Sequence, residues 1–439
     1  MLGKKLLSMT IALVIIGTFS AHSAKAVTAP QMSIGATRHS TCVIQNTGGM
    51  WCWGSNSSGQ LGDGTNTDST NPVQESTLSS NWRYLFDSSG DHMCAIKNDG
   101  TLWCWGSNFV GQLGLGDKTA KNVPTQVGTD TDWVSGGAGE RSTCAIKSDG
   151  SLWCWGSNKS GQLGNGKGIG TLAKTPVRAD LSNWLSVSIG NSHACGIQSD
   201  ASLWCWGGNN DGQLGIGSTT TKRHPTQVAG KWSTVDTSSD GPGNYTCAIK
   251  KNETLWCWGV GTNGSNGGTL GLGATISTNT PARVGSSTWS AIGAGAWTAC
   301  GIQTDASLWC WGDGYQGNLG SGIPGDENDS AVPVLVTGSN SWAAIGRSRD
   351  SGCAVQTDAT VWCWGSNMDG QIGSLAGSVN PTPLQVDLVA GGFNLPATDR
   401  DGGSISTILL LLAGLTAAAG TGLFVRERAV AAARLRRTN

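Results

Sequence analysis

Thr143-Cys144-Ala145-Ile146-Lys147-Ser148-Asp149-Gly150-Ser151-Leu152-Trp153-Cys154-Trp155-Gly156 reads as a β-hairpin. Two short apolar runs flank Ser148-Asp149-Gly150, where glycine supplies the positive φ of a three-residue hairpin loop. If the turn centres on Asp149, residues equidistant from it face each other, so Cys144 opposes Cys154 and Ala145 opposes Trp153. Opposed residues on antiparallel strands have Cα atoms about 4.5–5.5 Å apart, within reach of a disulfide. Side chains alternate along a strand, so Trp153 and Trp155 share one face and the cysteines take the other.

Outward from this hairpin the same pattern recurs. Trp-Cys-Trp-Gly stands at 51–54, 103–106, 153–156, 204–207, 256–259, 309–312 and 362–365. Each copy has a second cysteine ten positions before its own. The pairs are Cys42 with Cys52, Cys94 with Cys104, Cys144 with Cys154, Cys195 with Cys205, Cys247 with Cys257, Cys300 with Cys310 and Cys353 with Cys363, which uses all 14 cysteines. The residue opposing the first tryptophan is small or medium in every copy: Val43, Ala95, Ala145, Gly196, Ala248, Gly301 and Ala354. A large ring needs that space. The cysteines read as seven within-repeat disulfides, with pairs of buried thiols as the alternative; zinc would ordinarily bring Cys-x-x-Cys pairs, which do not recur. No metal or cofactor is expected.

A fixed period of about 50 residues means stacked copies of one supersecondary unit. Seven β-type units predict an all-β, seven-bladed β-propeller of four-stranded blades over residues 27–387. In the third repeat Trp133-Val-Ser-Gly starts the first strand, the hairpin supplies the second and third, and Thr175-Pro176-Val177 is a short fourth. The proline confines that fourth strand to the edge. The first repeat lacks the strand-start tryptophan, so Gln31–Gly35 is expected to pair beside Thr382–Val386 and seal the ring.

The chain's two ends predict export and tethering. Residues 1–26 read as a secretory signal: Lys4 and Lys5, an apolar run from Leu6 to Ala21, and the small-x-small site Ala24-Lys25-Ala26. Export favours disulfides. Residues 405–425 are 21 positions without a charge, about 31 Å as a helix and enough to cross a bilayer. The basic tail 426–439, with Arg426, Arg428, Arg434, Arg436 and Arg437, would lie in the cytoplasm. The linker 388–404 carries Leu395-Pro396-Ala397-Thr398-Asp399. This order of segments resembles the LPxTG cell-wall sorting signal of Gram-positive bacteria, which implies a sortase as a partner acting at Thr398. Asp399 stands where that signal has glycine, so a plain membrane anchor is the alternative. Removing the basic and acidic residues of the two termini leaves 20 basic and 28 acidic residues, a net of −8. An acidic surface without a basic run argues against nucleic acid.

The fuller repeat unit includes Trp-Gly-x-Asn-x-x-Gly-Gln-Leu-Gly, seen at Trp105-Gly-Ser-Asn-Phe-Val-Gly-Gln-Leu-Gly114. It resembles the repeat of the regulator of chromosome condensation family, over about residues 31–387, and implies a seven-bladed propeller. Repeats five and six depart from it at glutamine, with Gly268-Thr-Leu-Gly271 and Gly317-Asn-Leu-Gly320. The nuclear member's guanine-nucleotide exchange and chromatin binding do not suit an exported acidic protein. A secreted β-lactamase inhibitory protein is similar in architecture and setting.

Catalytic chemistry finds no anchor. Gly259–Gly264 and Gly312–Gly317 match Gly-x-Gly-x-x-Gly without a following helix to present amides to phosphate. Asp326, Glu327 and Asp329 read as a solvated insertion. His39, His92 and His193 precede the first cysteines of their repeats without a recurring carboxylate, and no catalytic residue is assigned. Twenty of the 21 tryptophans occupy repeated positions; Trp297 is the exception. It falls between first and second strands, where other repeats place His39, His92, Arg141, His193, Tyr245 and Arg349. The loop between third and fourth strands varies at Phe109, Lys159, Asp211, Tyr315 and Met368. Both loop sets should emerge on one side of the ring. Trp297, Phe109, Tyr315, Tyr245, Arg141 and Met368 are therefore the candidate binding residues, of types that anchor protein interfaces. The expected function is a non-enzymatic, surface-anchored module for an extracellular protein or envelope ligand, with a secreted enzyme inhibitor as the alternative.

Overall fold

The computed structural model describes residues 32–180, 183–238, 243–261, 268–323, 328–374 and 379–388. The leader, the Leu395–Asp399 motif, the apolar segment 405–425, the basic tail, Gln31, Asp326 and Glu327 lie outside them.

In the third repeat the hairpin pairs in the expected register, with Cys144 opposite Cys154 and Ala145 opposite Trp153. The other six hairpins repeat it. All seven hold the disulfide expected of them, and no cysteine is left as a thiol. In the first four repeats Cys42 is bonded to Cys52, Cys94 to Cys104, Cys144 to Cys154 and Cys195 to Cys205. In the last three Cys247 is bonded to Cys257, Cys300 to Cys310 and Cys353 to Cys363. The spacing departs slightly from expectation: the paired Cα atoms are 4.0–4.1 Å apart, inside the 4.5–5.5 Å of uncrosslinked strands.

Strands Trp133–Ala138, Ser142–Lys147, Leu152–Asn158 and Thr171–Arg178 then form an antiparallel meander in chain order. The fourth strand is longer than Thr175–Val177. The ladder shifts between Cys154 and Gly156, where Lys174, Thr175 and Pro176 of the fourth strand bulge opposite Trp155 alone. Gly156 lets the third strand pass close to the second. Its φ is +92°, and a Cβ there would lie 2.4 Å from the Arg141 carbonyl oxygen.

Among the described residues the strands assemble into six sheets, five of four strands and one of seven. The larger sheet contains repeats five and six. One continuous strand, Thr278–Ala294, ends the fifth and begins the sixth. Thr288 still pairs with Thr254, after a register shift, while the next residue, Trp289, pairs with Gln303, so one strand serves both repeats.

Neighbouring repeats are joined by the second tryptophan of each motif, a joint the repeat pattern alone does not reveal. Trp155 is fully buried against the Cys94–Cys104 disulfide and Leu113 of the preceding repeat. Its indole Nε1 donates to the Gln112 carbonyl of that repeat at 2.8 Å. The same bond links Trp105 to Gln60, Trp206 to Gln162, Trp258 to Gln213, Trp311 to Thr269 and Trp364 to Asn318. Trp53 donates to Gln371 at 3.0 Å and so joins the first repeat to the last. Met32, Ile34 and Trp53 also share a core with Val355, Ile372 and Val386. The ring therefore closes by packing between repeats. The expected pairing of Gln31–Gly35 with Thr382–Val386 is not found: Ser33–Ala36 pairs with Ser40–Ile44, and Val379–Val386 with Val361–Ser366. Met32 and Ile34 fill the seam by burial, so strand exchange between ends is not needed.

A buried tryptophan removes about 150–250 Å² from water, worth up to about 4–6 kcal/mol, against about 2–3 kcal/mol for a small-loop disulfide. Reductant is therefore expected to lower Tm while leaving the β signal in circular dichroism intact at 25 °C. Complete loss of that signal on reduction would assign the fold to its crosslinks.

Candidate functional site

The two loop classes come together on one side of the ring. Where repeats six, seven and one meet there is a cavity of about 320 Å³. First-to-second strand loops supply His39, Trp297, Arg349 and Asp350, and third-to-fourth loops supply Asp313, Tyr315, Gln316, Met368 and Asp369. Trp297 is half-buried; Tyr315 and Met368 are 49% and 72% exposed. Three candidate residues from three separate loops thus line one pocket.

Phe109 and Arg141 are placed elsewhere on this side. The Arg141 guanidinium lies 5.3 Å from the Phe109 ring, a cation–π contact between the second and third repeats. Comparable contacts span other repeat pairs. Asn244 donates to Asp211 at 2.8 Å, and His39 Nδ1 is 3.3 Å from Asp369. These side chains reach from one repeat to the next and fasten part of the loop surface.

Tyr245 must be removed from the candidate surface. It is fully buried, and its hydroxyl lies 3.0 Å from the carbonyls of both Gly295 and Thr298. His92 and His193 are likewise fully buried. The reason is a one-residue offset. His39, Arg141 and Trp297 stand three residues before their cysteines, in the loop. His92, His193 and Tyr245 stand two before, at the start of the second strand, where alternation turns them inward.

The buried histidines belong to a relay between repeats. Thr143 Oγ1 donates to the Gln112 carbonyl at 2.8 Å, so His92 Nε2, 2.8 Å from that hydroxyl, must be the donor. Thr246, Gln213 and His193 repeat this arrangement. Both Nδ1 atoms are then unprotonated and have no hydrogen-bond partner. Burial pushes both imidazoles down to about 3.

The lumen of the ring is a second cavity of about 230 Å³, lined by first strands. It holds charged groups that the sequence reading did not single out. Asp87 Oδ1 accepts from the Ala36 amide at 3.0 Å, and Asp236 accepts from Ser188 Oγ and the Ala294 amide. Asp87 is reachable by solvent in the lumen yet lies deep within the ring. Desolvation, reinforced by Asp236, pushes its carboxyl up to about 8; desolvation also raises Asp236 to about 6. Arg347, buried beside them, donates to Thr298. First strands carry no repeated charge, so periodicity offered no signal for these residues. Among the described residues no group of three or more His, Cys, Asp or Glu is placed to hold a metal, and Asp329 accepts from the Gly314 amide.

Four-stranded antiparallel units joined in a closed ring, with one tryptophan-cysteine-tryptophan hairpin per repeat, define a β-propeller of a particular repeat class. The model of the regulator of chromosome condensation (RCC1) repeat matches residues 47–96, 99–146, 149–197 and 200–239, and a second model of that repeat matches 133–162 and 184–213. The chain belongs to this family. It is 32% identical over 400 residues to the mitochondrial RCC1 domain-containing protein RUG3 of Arabidopsis thaliana, covering 77% of this chain and 82% of that protein. It is 32% identical over 244 residues to the ultraviolet-B receptor UVR8 of the same plant, spanning 53% of each chain. Against human E3 ubiquitin-protein ligase HERC2 the match covers 4% of that protein, at 27% identity. Among solved structures, yeast RCC1 (Prp20) bound to Kap60 superimposes with a TM-score of 0.67 at 18% identity, over 88% of this chain and 90% of that one. Human WBSCR16 gives 0.65 at 18% identity, over 77% and 94%. At such identities the likeness concerns the fold.

Proposed function

We propose that this chain is an exported, surface-tethered, seven-bladed β-propeller that binds another protein through the loop side of its ring and catalyses no reaction. The observation that carries the reading is the convergence of Trp297, Tyr315 and Met368 on one pocket. A half-buried tryptophan flanked by exposed tyrosine and methionine is the composition of an interface anchor. The seven hairpins, each with its own disulfide, support seven blades, with Thr278–Ala294 counted in two of them. The relatives support protein binding as the use of this fold: yeast RCC1 is found bound to Kap60, and Prp20p has binding properties toward Gsp1p and histones. Seven disulfides suit an oxidising compartment. The leader, the apolar segment 405–425 and the basic tail support export and tethering.

Protease applied to intact producing cells should release propeller peptides. Full-length protein with a photocrosslinker at Met368 should capture an envelope or extracellular protein, and Trp297→Ala should reduce that capture about tenfold, the usual effect of truncating an interface anchor. Equal capture by wild type and Trp297→Ala would move the interface away from this side. Protection from external protease would overturn surface display.

A further inference from the structure

We infer that the pocket between repeats six, seven and one accepts the basic side chain of a lysine or arginine on the bound partner. This rests on the binding-module reading above and narrows it to one chemistry. The indole of Trp297, the phenol of Tyr315 and the thioether of Met368 provide polarisable walls, and aromatic faces attract ammonium and guanidinium groups. Asp313, Asp350 and Asp369 line the same space; Arg349 Nε lies 3.7 Å from Asp350 and His39 Nδ1 3.3 Å from Asp369, so carboxylates outnumber the fixed cation. The pocket therefore favours an incoming positive charge and repels an anion.

Asn318 supplies an independent observation. It lines the pocket, is 2% exposed, and its Oδ1 is buried without a hydrogen-bond partner. Its chemistry is traceable to the sequence. Five other repeats place glutamine here, and each glutamine Oε1 accepts from the backbone amide two residues earlier: Gln60 from Ser58, Gln112 from Val110, Gln162 from Ser160, Gln213 from Asp211 and Gln371 from Asp369. Asparagine is one methylene shorter and makes no such bond. The loop beside it is also altered, with Tyr315–Gly317 in a single 3-10 turn and Gln316 at φ +56°. A buried acceptor left without a donor is costly, and turning the Asn318 amide so that Oδ1 meets an N–H donor of a ligand in the pocket would relieve that cost. Carboxylates, aromatic faces and an unsatisfied acceptor are together complementary to a cationic donor on an apolar stem.

The test is a titration of the full chain with acetyl-Gly-Lys-Gly-amide and with the same peptide carrying norleucine or glutamate, followed by ligand-observed NMR. The lysine peptide should bind about tenfold more tightly than the norleucine peptide at 50 mM NaCl, and the preference should shrink at 500 mM. Trp297→Ala and Asn318→Gln should each remove the preference, while Leu185→Ala, at an exposed first-strand position outside the pocket, should keep it. Near-ultraviolet circular dichroism checks that each variant retains its packing. Equal binding of lysine and norleucine peptides, stronger binding of glutamate, or Trp297-dependent binding of maltotriose without any lysine preference overturns the inference. If the lysine preference is absent while partner crosslinking still depends on Trp297, the charge chemistry fails and the binding module stands. A lysine preference with crosslinking indifferent to Trp297 fails the module's interface instead.

Discussion

Trp53→Ala is expected to lower the free energy of unfolding by about 3–5 kcal/mol, the range for truncating a buried aromatic in a packed core. Trp53 is fully buried in the seam between the first and last repeats, among Met32, Ile34, Val355, Ile372 and Val386. Its Nε1 bond to the Gln371 carbonyl spans 318 positions of chain. Removing the ring empties the seam and leaves that carbonyl with one donor fewer, since Thr41 Oγ1 also reaches it at 3.2 Å. The double variant Cys42→Ser with Cys52→Ser, which opens the crosslink in the same repeat, should cost only about 2–3 kcal/mol. Urea unfolding measures both. Trp155→Ala makes the equivalent change between the second and third repeats, and a similar loss there would show that the closing seam resembles the others. A loss below about 1 kcal/mol at Trp53 would show that this side chain does not hold the closure.

The second expectation concerns acid. His92 and His193 are neutral in the folded protein, with pKa values pushed by burial from 6.5 to about 3. A group whose folded pKa is depressed contributes stability above its unfolded pKa and loses it as pH falls toward the folded value. The window here is pH 6.5 to about 3. Each histidine contributes about 1.4 kcal/mol per pH unit inside it, so the pair contributes about 2–3 kcal/mol per unit. The double variant His92→Gln with His193→Gln keeps an amide donor for Thr143 and Thr246 and removes the titration. Its stability relative to wild type should rise by that slope as pH falls through the window, read from urea unfolding at half-unit intervals. A difference that stays flat from about pH 6.5 to 4 would mean that the imidazoles titrate with solvent access. Asp87 and Asp236 act in the opposite sense. Their folded values are raised, so their contribution is complete below 3.8 and is lost as pH rises through about 6 and about 8. Both line the solvent-reachable lumen, where screening reduces their effect. Taking the difference between variant and wild type cancels them.

Much of the hairpin could be read directly from residues 143–156. Its register follows from turn chemistry, from the space each tryptophan needs and from the pairing of cysteines ten apart, all of which operate within fourteen residues. The same short-range rule holds from Cys42 and Cys52 in the first repeat to Cys353 and Cys363 in the last. The period of about 50 residues added the repeat architecture, and the spacing of Phe109, Tyr315, Met368, Arg141 and Trp297 marked the variable loops. The inward turn of Tyr245, His92 and His193 follows from the same alternation rule, since they stand two rather than three positions before the cysteine.

Other features had no local signal. The bonds from Trp53 to Gln371 and from Trp155 to Gln112 join repeats 43 to 318 positions apart, and nothing inside one repeat specifies which carbonyl its neighbour will offer. The pocket of Trp297, Tyr315 and Met368 exists only because the closed ring brings three loops from two repeats together beside His39 of the first. Short-range sterics and turn propensities act along the chain and leave their mark on residue order. Contacts between repeats are set by packing in three dimensions, and their partners are known only once the ring has closed.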